Sequence, residues 1–538
     1  MAKSHPDPAA RKAYFAGGGV ASLAAAAYLI RDGKIPGRNI TVYEEMKVSG
    51  GCLDGTHVPE KGYVIRGGRM MDKEAYTCTY DLFSFIPSLD NPGKTVTDEI
   101  LDFNRKIQTR SRARLVDREH RKLDVTSMGF SPKDRLAFVK LMQVSEDSLG
   151  TQRIDEWFEP AFFETNFWYM WCTTFAFQPW HSLAEFKRYL HRFIHEFPKI
   201  HTLAGVWRTP FNQYDSMTLP LQKWLESQGV HFVMNTRVTD IDFNPDRSAT
   251  TAERIHAVRD GRETTVEVGR DDLVFMINGS MASASDIGSM KSAPAMKDKT
   301  ADGAWRLWET IARKRPHFGR PSNYADRLHE SNWESFTCTL TDRTFFDRME
   351  KFSGNKPGTG ALVTFKDSNW LMSIVLAYQP HFRGQPEGVQ VFWGDGLFPD
   401  RVGNYVQKKM SDCTGEEILT ELCWHLGFMD DLPGILQSAQ CVPCYMPYIG
   451  SQFLTRGKGD RPQVVPKGSV NFAFLGQYAE LPRDVVFTVE YSVRTAQTAV
   501  FQLLGLKKRV SPLYRGDLDP RVLVRSFLTM HRKTRKAA

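Results

Sequence analysis

Three consecutive glycines that begin at Gly17 follow a short apolar strand and precede a helix rich in alanine and leucine. A second apolar segment, residues 40–43, ends on the acid Glu44. In this order Gly17 permits a tight turn, Gly19 lets a pyrophosphate approach the backbone, and the helix N-terminus attracts the anion. Glu44 suits the ribose hydroxyls. The stretch therefore predicts a dinucleotide-binding unit.

Two more glycine-rich loops follow, SGGCLDG at 49–55 and RGGR at 66–69. Flexible loops with an arginine can pack against a large flavin, which favours FAD over NAD as the cofactor. Ser22 replaces the third glycine of the usual fingerprint and is small enough for close packing of helix and strand. The residues that we expect to contact FAD are Gly17, Gly19, Ala21, Glu44, Cys52, Leu53, Arg66, Gly68, Val238, Ser280, Thr488 and Ser492.

Tyr189 lies in the most aromatic segment of the chain, residues 154–197. Apolar residues around it recur at helical spacing, so most of them belong to a core. A phenol on a buried face needs a hydrogen-bond partner or a chemical task. Tyr189 is therefore a candidate catalytic residue.

A chain of 538 residues is too long for one compact core, so two or three domains are expected. The predicted fold class is α/β (α+β overall), a Rossmann-like flavoprotein of the two-dinucleotide-binding-domain type with a mixed substrate domain. The predicted FAD-binding domain is discontinuous and combines residues 1–75, 229–300 and 465–500. Residues 76–228 and 301–464 are predicted to bind the substrate, and 501–538 to form a basic, helical C-terminal tail.

Ten basic residues of the tail surround an apolar segment, 522–530, and the whole chain has a net charge of +8. A basic amphipathic helix of this kind can lie on an anionic bilayer. It can equally dock on the body of the protein with its basic face in water. The basic stretch 105–126 is predicted to form a solvated hairpin, and no nucleic-acid partner is expected.

The location is predicted to be cytoplasmic, with membrane association at the inner face. No apolar leader precedes the first strand, and no run of 18 apolar residues occurs. The eight cysteines are scattered, and the close pair Cys441 and Cys444 has no second Cys/His pair nearby, so buried reduced thiols and no metal site are predicted. The arm before the first strand is short, so we expect a monomer or a homodimer.

Longer motifs carry a resemblance to a known family over nearly the whole chain. They are GGCLDG at 50–55, RGGRMMD at 66–72, NFWYMW at 166–171, HRFIHEF at 191–197, NQYDS at 212–216 and NFAFLGQYAELPRDVVFTVEYSVRTAQTAV at 471–500. The chain resembles the fatty-acid (oleate) hydratases, also called myosin-cross-reactive antigens. The resemblance implies an FAD-dependent hydro-lyase that adds water to the cis double bond of an unsaturated fatty acid, converting oleate to 10-hydroxystearate. It also implies a C-terminal region that touches membranes.

The resemblance assigns the proton-donating tyrosine to Tyr189 and a substrate-contacting glutamine to Gln213. The family's water-activating glutamate, in its RGGRE motif, falls on Met70, whose thioether cannot accept a proton from water. Asp72 and Glu74 are nearby acids, but they are displaced along the chain.

The substrate's head group is another point of difference from the family. Val375 and Ala377 stand where many members place Thr and Asn for the carboxylate. Together with Met70, these differences suggest a divergent branch with an altered water site and looser head-group recognition; a different substrate and a loss of activity are the alternatives.

Two other functions stay open from the sequence. One is a flavin-dependent oxidoreductase of the amine-oxidase or desaturase type, which shares the FAD fingerprint. The other is a lipid-binding flavoprotein without catalysis, which Met70 at the base position favours.

Overall fold

A computed structural model of the protein describes residues 7–245 and 249–532. Its centre is a five-stranded sheet in which every neighbouring pair of strands is parallel. The strands, in spatial order, are Phe472–Leu475, Leu273–Ile277, Ala13–Ala16, Ile40–Tyr43 and His231–Val233. Segments from the beginning, the middle and the end of the chain therefore build one sheet.

The strand Ala13–Ala16 is apolar throughout and fully buried, as expected for the interior of a parallel sheet covered on both faces. Gly17 then turns the chain with a φ of +99°, a conformation that favours glycine. The helix Val20–Arg31 follows and packs against the late helix Val489–Leu503. The predicted strand, glycine turn, helix and second strand are confirmed.

The remaining strands form antiparallel or mixed sheets. A three-stranded sheet contains Arg262–Glu267, Ala252–Arg259 and Thr236–Phe243. A seven-stranded sheet contains, in spatial order, Asp286–Ile287, Ala439–Met446, Trp333–Leu340, Gln390–Gly396, Met372–Val375, Val363–Phe365 and Leu115–Val116. Two-stranded pairs join Gly55–Val58 to Gly62–Ile65 and Met71–Asp72 to Val206–Trp207. The mixed α/β class with a parallel sheet is confirmed, whereas the domain boundaries stay a prediction.

Helices pack against both large sheets: Val20–Arg31 and Val489–Leu503 contact the parallel sheet, and Gly415–Leu426 contacts the seven-stranded sheet. The α-helices are Val20–Arg31, Thr77–Phe83, Val96–Lys106, Pro132–Gln143, Glu146–Leu149, Asn166–Phe175, Leu183–Arg192, Leu219–Ser227, Ala304–Lys314, Ser322–Ala325, Thr344–Ser353, Gly415–Leu426, Leu432–Ser438, Val489–Leu503 and Pro520–Met530. A π-helical turn, Tyr214–Thr218, leads directly into Leu219–Ser227.

The predicted hairpin over 105–126 is much shorter than expected: Val116 pairs antiparallel with Lys122, and the rest of the stretch forms no hairpin strands. Residues 105–106 complete the helix Val96–Lys106, and the remainder contains one short strand, Leu115–Val116. The guanidinium group of Arg114 is buried and donates hydrogen bonds to the carbonyl oxygens of Ile200, Leu362 and Met170. A side chain predicted to face water thus holds loops together inside the protein.

The C-terminal helix Pro520–Met530 docks on the end of the helix Leu183–Arg192. Ser526 Oγ donates to the Ile194 carbonyl at 3.2 Å, and His191 Nδ1 lies 3.2 Å from Asp517 Oδ2. The basic residues Lys533, Arg535 and Lys536 lie outside the described residues. Within the parts of the chain that the structure covers, no helix combines the length and the apolar character that crossing a bilayer requires.

Candidate functional site

A large cavity opens between the glycine turn and the helices Asn166–Phe175 and Leu183–Arg192. Its empty volume is about 1340 Å³ with the mouth included. Most of the predicted site residues line it, although they are scattered along the chain: Gly19, Ala21, Cys52, Leu53, Gly68, Met70, Tyr189, Gln213, Ser280, Thr488 and Ser492.

One end of the cavity is formed by the glycine turn. Gly19 caps the helix Val20–Arg31, which has neither a capping side-chain hydrogen bond nor an acidic residue in its first turn. A Cβ atom on Gly19 would lie 2.9 Å from Ile277 Cδ1, so a side chain at this position would have to displace the end of the Ile277 side chain. Gly50 N donates to Gly18 O at 2.9 Å and holds the second glycine loop against the turn. This arrangement fits a pyrophosphate, because its anion would face the positive end of the helix dipole.

Gly17, Glu44, Arg66 and Val238 do not line the cavity, and their contact with a cofactor stays a prediction. The Glu44 carboxylate accepts hydrogen bonds from Gly18 N at 2.7 Å and from the Met46 backbone, so it stabilises the turn itself. Burial raises the pKa of Glu44 despite these bonds.

Arg66 and Val238 have structural partners of their own. Arg66 forms a 2.7 Å ion pair with Asp54 and fixes the 50–55 loop. Val238 is buried in the strand Thr236–Phe243, opposite Ala257.

Tyr189 lies in the wall of the cavity and is 1% exposed. Its ring packs against Phe175 and Phe177, with centroids 5.1 and 5.0 Å away, and its hydroxyl donates to the Val486 carbonyl. Burial, with the neighbouring Tyr76 phenol, raises the pKa of Tyr189 well above its ordinary value. The group therefore stays protonated, as a proton donor must before it reacts.

A buried ion network fixes the helix that carries Tyr189. Glu185 Oε1 lies 2.9 Å from the guanidinium groups of both Arg461 and Arg456. Arg188 joins the same network through Glu480, at 2.7 Å. Burial alone would raise the pKa of Glu185, but the three arginines outweigh it and lower this pKa to about 2. Because Glu185 stays charged, the network orients the helix at any physiological pH.

Tyr76 is a second phenol in the same cavity, and the sequence alone did not single it out. Its hydroxyl donates to the Met70 carbonyl at 3.0 Å, and burial followed by the charge of Asp72 raises its pKa. The signal in the sequence was its position a few residues after the RGGRMMD motif.

Met70 is half-buried at the junction of the cavity with a second pocket. Asp72 and Glu196 line the same cavity, whereas Glu74 is exposed and does not. Asp72 Oδ2 lies 2.9 Å from His195 Nε2, and Glu196 Oε1 lies 2.7 Å from Lys199 Nζ.

Asp72, His195 and Glu196 also form a compact cluster. Each residue offers one ligand atom, and these atoms lie within 4.8 Å of one another. Among the described residues, this is the one group of three or more such side chains that could hold a metal ion. Cys441 and Cys444 are buried free thiols, as predicted.

The second pocket has an empty volume of about 720 Å³ and shares Met70 and Gln213 with the cavity. Val375 and Ala377 line it, so the structure brings together the three predicted substrate contacts. Gln213 is 6% exposed, and neither atom of its side-chain amide has a hydrogen-bond partner among the described residues. Arg208 and His381 line the same pocket and were missed from the sequence.

The fold and the site define an α/β protein of the dinucleotide-binding type with a large cavity beside its glycine turn. A sequence model of the MCRA family matches residues 10–501. The chain therefore belongs to the MCRA family.

Two relatives in this family have names that state an activity. The chain is 39% identical to an oleate hydratase from Streptococcus pyogenes serotype M49 (strain NZ131), over 97% of this chain and 90% of that protein. It is 35% identical to a linoleate hydratase from Lactiplantibacillus plantarum, over 96% of this chain and 98% of that protein.

Solved structures with a similar chain path are more distant. One is an oxidoreductase from Methanosarcina mazei, with a TM-score of 0.49, 12% identity and coverage of 90% of this chain and 99% of the other. Another is a putative protoporphyrinogen oxidase from Exiguobacterium sp. 255-15, with the same TM-score and identity, covering 92% and 99%.

Proposed function

We propose that this protein is an FAD-dependent hydratase that adds water to the cis double bond of an unsaturated fatty acid, with oleate giving 10-hydroxystearate. The observation that carries the proposal is the buried, protonated Tyr189 in the wall of a cavity that begins at the glycine turn. The names of the two relatives support the substrate class.

FAD fits the residues present at the cavity. Gly19 and Ala21 would hold its pyrophosphate at the uncapped helix N-terminus. Cys52, Leu53 and Gly68 would contact the ring system, and Ser280, Thr488 and Ser492 would close the other side. Because hydration involves no net electron transfer, the bound flavin would supply shape and electrostatics to the site without being consumed.

Tyr189 serves as the general acid. An isolated alkene is a poor electrophile, so a proton must reach one olefinic carbon as water attacks the other. The Val486 carbonyl and the rings of Phe175 and Phe177 fix the direction of the phenol. General acid catalysis contributes roughly 10²–10⁴-fold, and holding both reactants beside the bond supplies about 7–11 kcal/mol more.

The water must lose a proton as the new C–O bond forms, and Met70 cannot accept it. Asp72 and Glu196 are the carboxylates that line the cavity within the described parts of the chain. We assign the proton acceptor to this pair, and the positioning of the water to backbone groups of the 67–68 loop.

Product analysis tests the proposal. The FAD-loaded protein, incubated with a panel of cis-unsaturated fatty acids, is expected to give hydroxy acids that mass spectrometry detects as substrate plus water. Protein stripped of flavin is the control and should give none. Substrate recovered unchanged from every acid in the panel, with flavin bound, would contradict the hydratase.

We also propose that the protein contacts anionic membranes through a two-helix surface. The helix Pro520–Met530 exposes Val524, Phe527 and Leu528, and the helix Pro132–Gln143 next to it exposes Leu136 and Val139. Such an apolar surface with basic residues around it suits the interface of an anionic bilayer.

Vesicle binding tests this surface. Replacing Phe527 and Leu528 by Asp should weaken binding to anionic vesicles and leave turnover on dispersed oleate unchanged. Exchange of the exposed residues Val402 and Val470, which lie elsewhere, provides a matched control. Equal vesicle binding by the Asp variant and the unmodified protein would assign the helix to docking alone.

A further inference from the structure

Glu196 is a buried carboxylate in the cavity wall that keeps one oxygen free of hydrogen bonds. The residue is 8% exposed and lines the same cavity as Tyr189. Lys199 Nζ lies 2.7 Å from Glu196 Oε1, whereas no described residue donates a hydrogen bond to Oε2. One oxygen is therefore held in place and the other can accept a proton.

Asp72, the other carboxylate of the cavity wall, has both oxygens engaged. Ala75 N donates to Oδ1 at 2.6 Å, and His195 Nε2 lies 2.9 Å from Oδ2. These contacts fix the chain just after the strand Met71–Asp72. Of the two carboxylates, Glu196 is thus the one with an oxygen available for the reaction.

The chain path places Glu196 on the same side as Tyr189. Glu196 follows Tyr189 by seven residues, which is about two turns of a helix. Phe193 N donates to Tyr189 O, and Glu196 N donates to Phe193 O, both at 2.9 Å, so the helical path continues beyond the helix Leu183–Arg192. Two turns correspond to a rise of about 10 Å, which leaves room for a double bond and a water molecule between the phenol and the carboxylate.

Gly205 provides the space that the Glu196 carboxylate occupies. A Cβ atom on Gly205 would lie 1.7 Å from Glu196 Oε2 and 2.1 Å from Oε1. Even the smallest side chain at this position would therefore push the carboxylate out of its place. The neighbours Phe193, Ile200 and Leu203 also line the cavity and are apolar, so Glu196 is a single acid on a wall suited to an alkyl chain.

The surroundings of Glu196 suit a proton acceptor. Burial raises the pKa of Glu196, an effect that Lys199 and His195 oppose and Asp72 reinforces. A carboxylate with a raised pKa takes up a proton more readily than an exposed one. The ammonium group of Lys199 already places a cation beside the carboxylate, so the charge of Glu196 is balanced by the chain itself.

We propose that Glu196 is the general base that activates the attacking water, the role that Met70 cannot fill. The inference rests on the proposed function. Tyr189 gives its proton to one olefinic carbon, the water oxygen bonds to the other, and one proton of the water passes to Glu196 Oε2. That proton then returns to the Tyr189 phenolate through the shared cavity, so each turnover consumes one water molecule and one double bond.

Glu196→Gln tests the inference, because the amide keeps the shape of the side chain and an acceptor for Lys199 but is not a base. Since the Lys199 side chain is 43% exposed, it can also turn to water. With FAD-loaded protein and oleate below its aggregation limit, kcat should fall by roughly 10²–10⁴-fold. Flavin content and the Kd for oleate, measured by equilibrium dialysis, should stay unchanged.

Three further variants separate the base from its surroundings. Gly205→Ala leaves the carboxylate in the protein but displaces it, and should lower kcat without changing flavin content. Asp72→Asn should lower kcat less than Glu196→Gln does, because the Asp72 oxygens are already engaged. Glu74→Gln changes an exposed acid outside the cavity and should have no effect.

Near-native turnover by flavin-loaded Glu196→Gln would overturn the inference and leave the hydratase standing. A larger loss in Asp72→Asn than in Glu196→Gln would also overturn it, as would an oleate affinity that falls by the same factor as kcat. If Glu196→Gln fails to bind flavin, an unchanged kcat in Gly205→Ala would have the same consequence. No hydration by the unmodified protein would contradict the hydratase itself and the inference with it.

Discussion

Replacing Tyr189 by Phe removes one hydroxyl and nothing else from the proposed site. The ring contacts with Phe175 and Phe177, at centroid distances of 5.1 and 5.0 Å, remain. The Val486 carbonyl loses its donor, which costs about 1–3 kcal/mol of folding free energy for a buried acceptor. We therefore expect a folded protein with a modestly lower Tm and unchanged flavin content.

Turnover should respond far more strongly than stability. Loss of a general acid lowers the rate by roughly 10²–10⁴-fold, equivalent to about 3–5 kcal/mol of activation free energy. The assay is hydroxy-acid formation per bound flavin at saturating oleate, measured together with KM. KM should change little, because the phenol acts in the proton-transfer step and not in binding the fatty acid.

Tyr324→Phe is the matched control. Tyr324 is equally buried and its hydroxyl has no hydrogen-bond partner among the described residues, but it lies outside the cavity. Its replacement should leave turnover unchanged. If Tyr189→Phe turned over oleate at a near-native rate with full flavin content, the acid would have to be another group, with Tyr76 the first to test.

Three further predictions follow from the cavity and the network beneath it. In Gly19→Val the Cβ would lie 2.9 Å from Ile277 Cδ1, and the branched side chain would occupy space that the pyrophosphate needs. Flavin absorbance after purification should therefore be lost, and full flavin content would show that the pyrophosphate binds elsewhere. Met70→Glu adds a carboxylate to the cavity wall, and burial should raise its pKa, so the pH profile of turnover should change. An unchanged profile would show that the reacting water does not lie next to residue 70. The pKa of Glu185 is lowered to about 2 beside Arg461, so its charged form contributes about 3 kcal/mol to the free energy of unfolding. This contribution is complete above pH ~4.5 and is lost as pH falls toward 2. The Tm difference between the unmodified protein and Glu185→Gln should shrink across that range, and a constant difference would show that the network does not couple to protonation.

The parallel sheet could be predicted from the sequence because its determinants are local. The apolar strand Ala13–Ala16, the glycine turn and the alanine-rich helix Val20–Arg31 lie side by side in the chain. The seven-stranded sheet could not be predicted in the same way. It pairs Leu115–Val116 with Val363–Phe365, and the two-residue strand has no periodicity of its own.

Part of the site could be predicted from local sequence. Gln213 and Met70 were named from motifs, Tyr189 from its aromatic segment and the family resemblance, and the structure places all three around one cavity. Arg208 was missed because a sequence shows the charge and not whether a carboxylate reaches it in the fold.

The sequence also does not show which polar side chains are already engaged in hydrogen bonds within the fold. The carboxylate of Glu44 bonds the Gly18 backbone, so its availability to a ribose could not be judged from its position after the strand. Arg114 similarly lies in a basic stretch, yet its side chain is buried. In both cases the partners come from tertiary packing.

The central claim, water addition without net redox chemistry, is tested most directly by isotope labelling. The flavin is reduced once, and the protein is then incubated with oleate in H₂¹⁸O and, separately, in D₂O under anaerobic conditions. We predict a hydroxy acid that carries solvent oxygen and a single carbon-bound solvent hydrogen, formed over many turnovers per flavin. Product that stops at one equivalent per flavin, or that forms only in air and carries oxygen from O₂, would contradict the hydratase and favour an oxidoreductase.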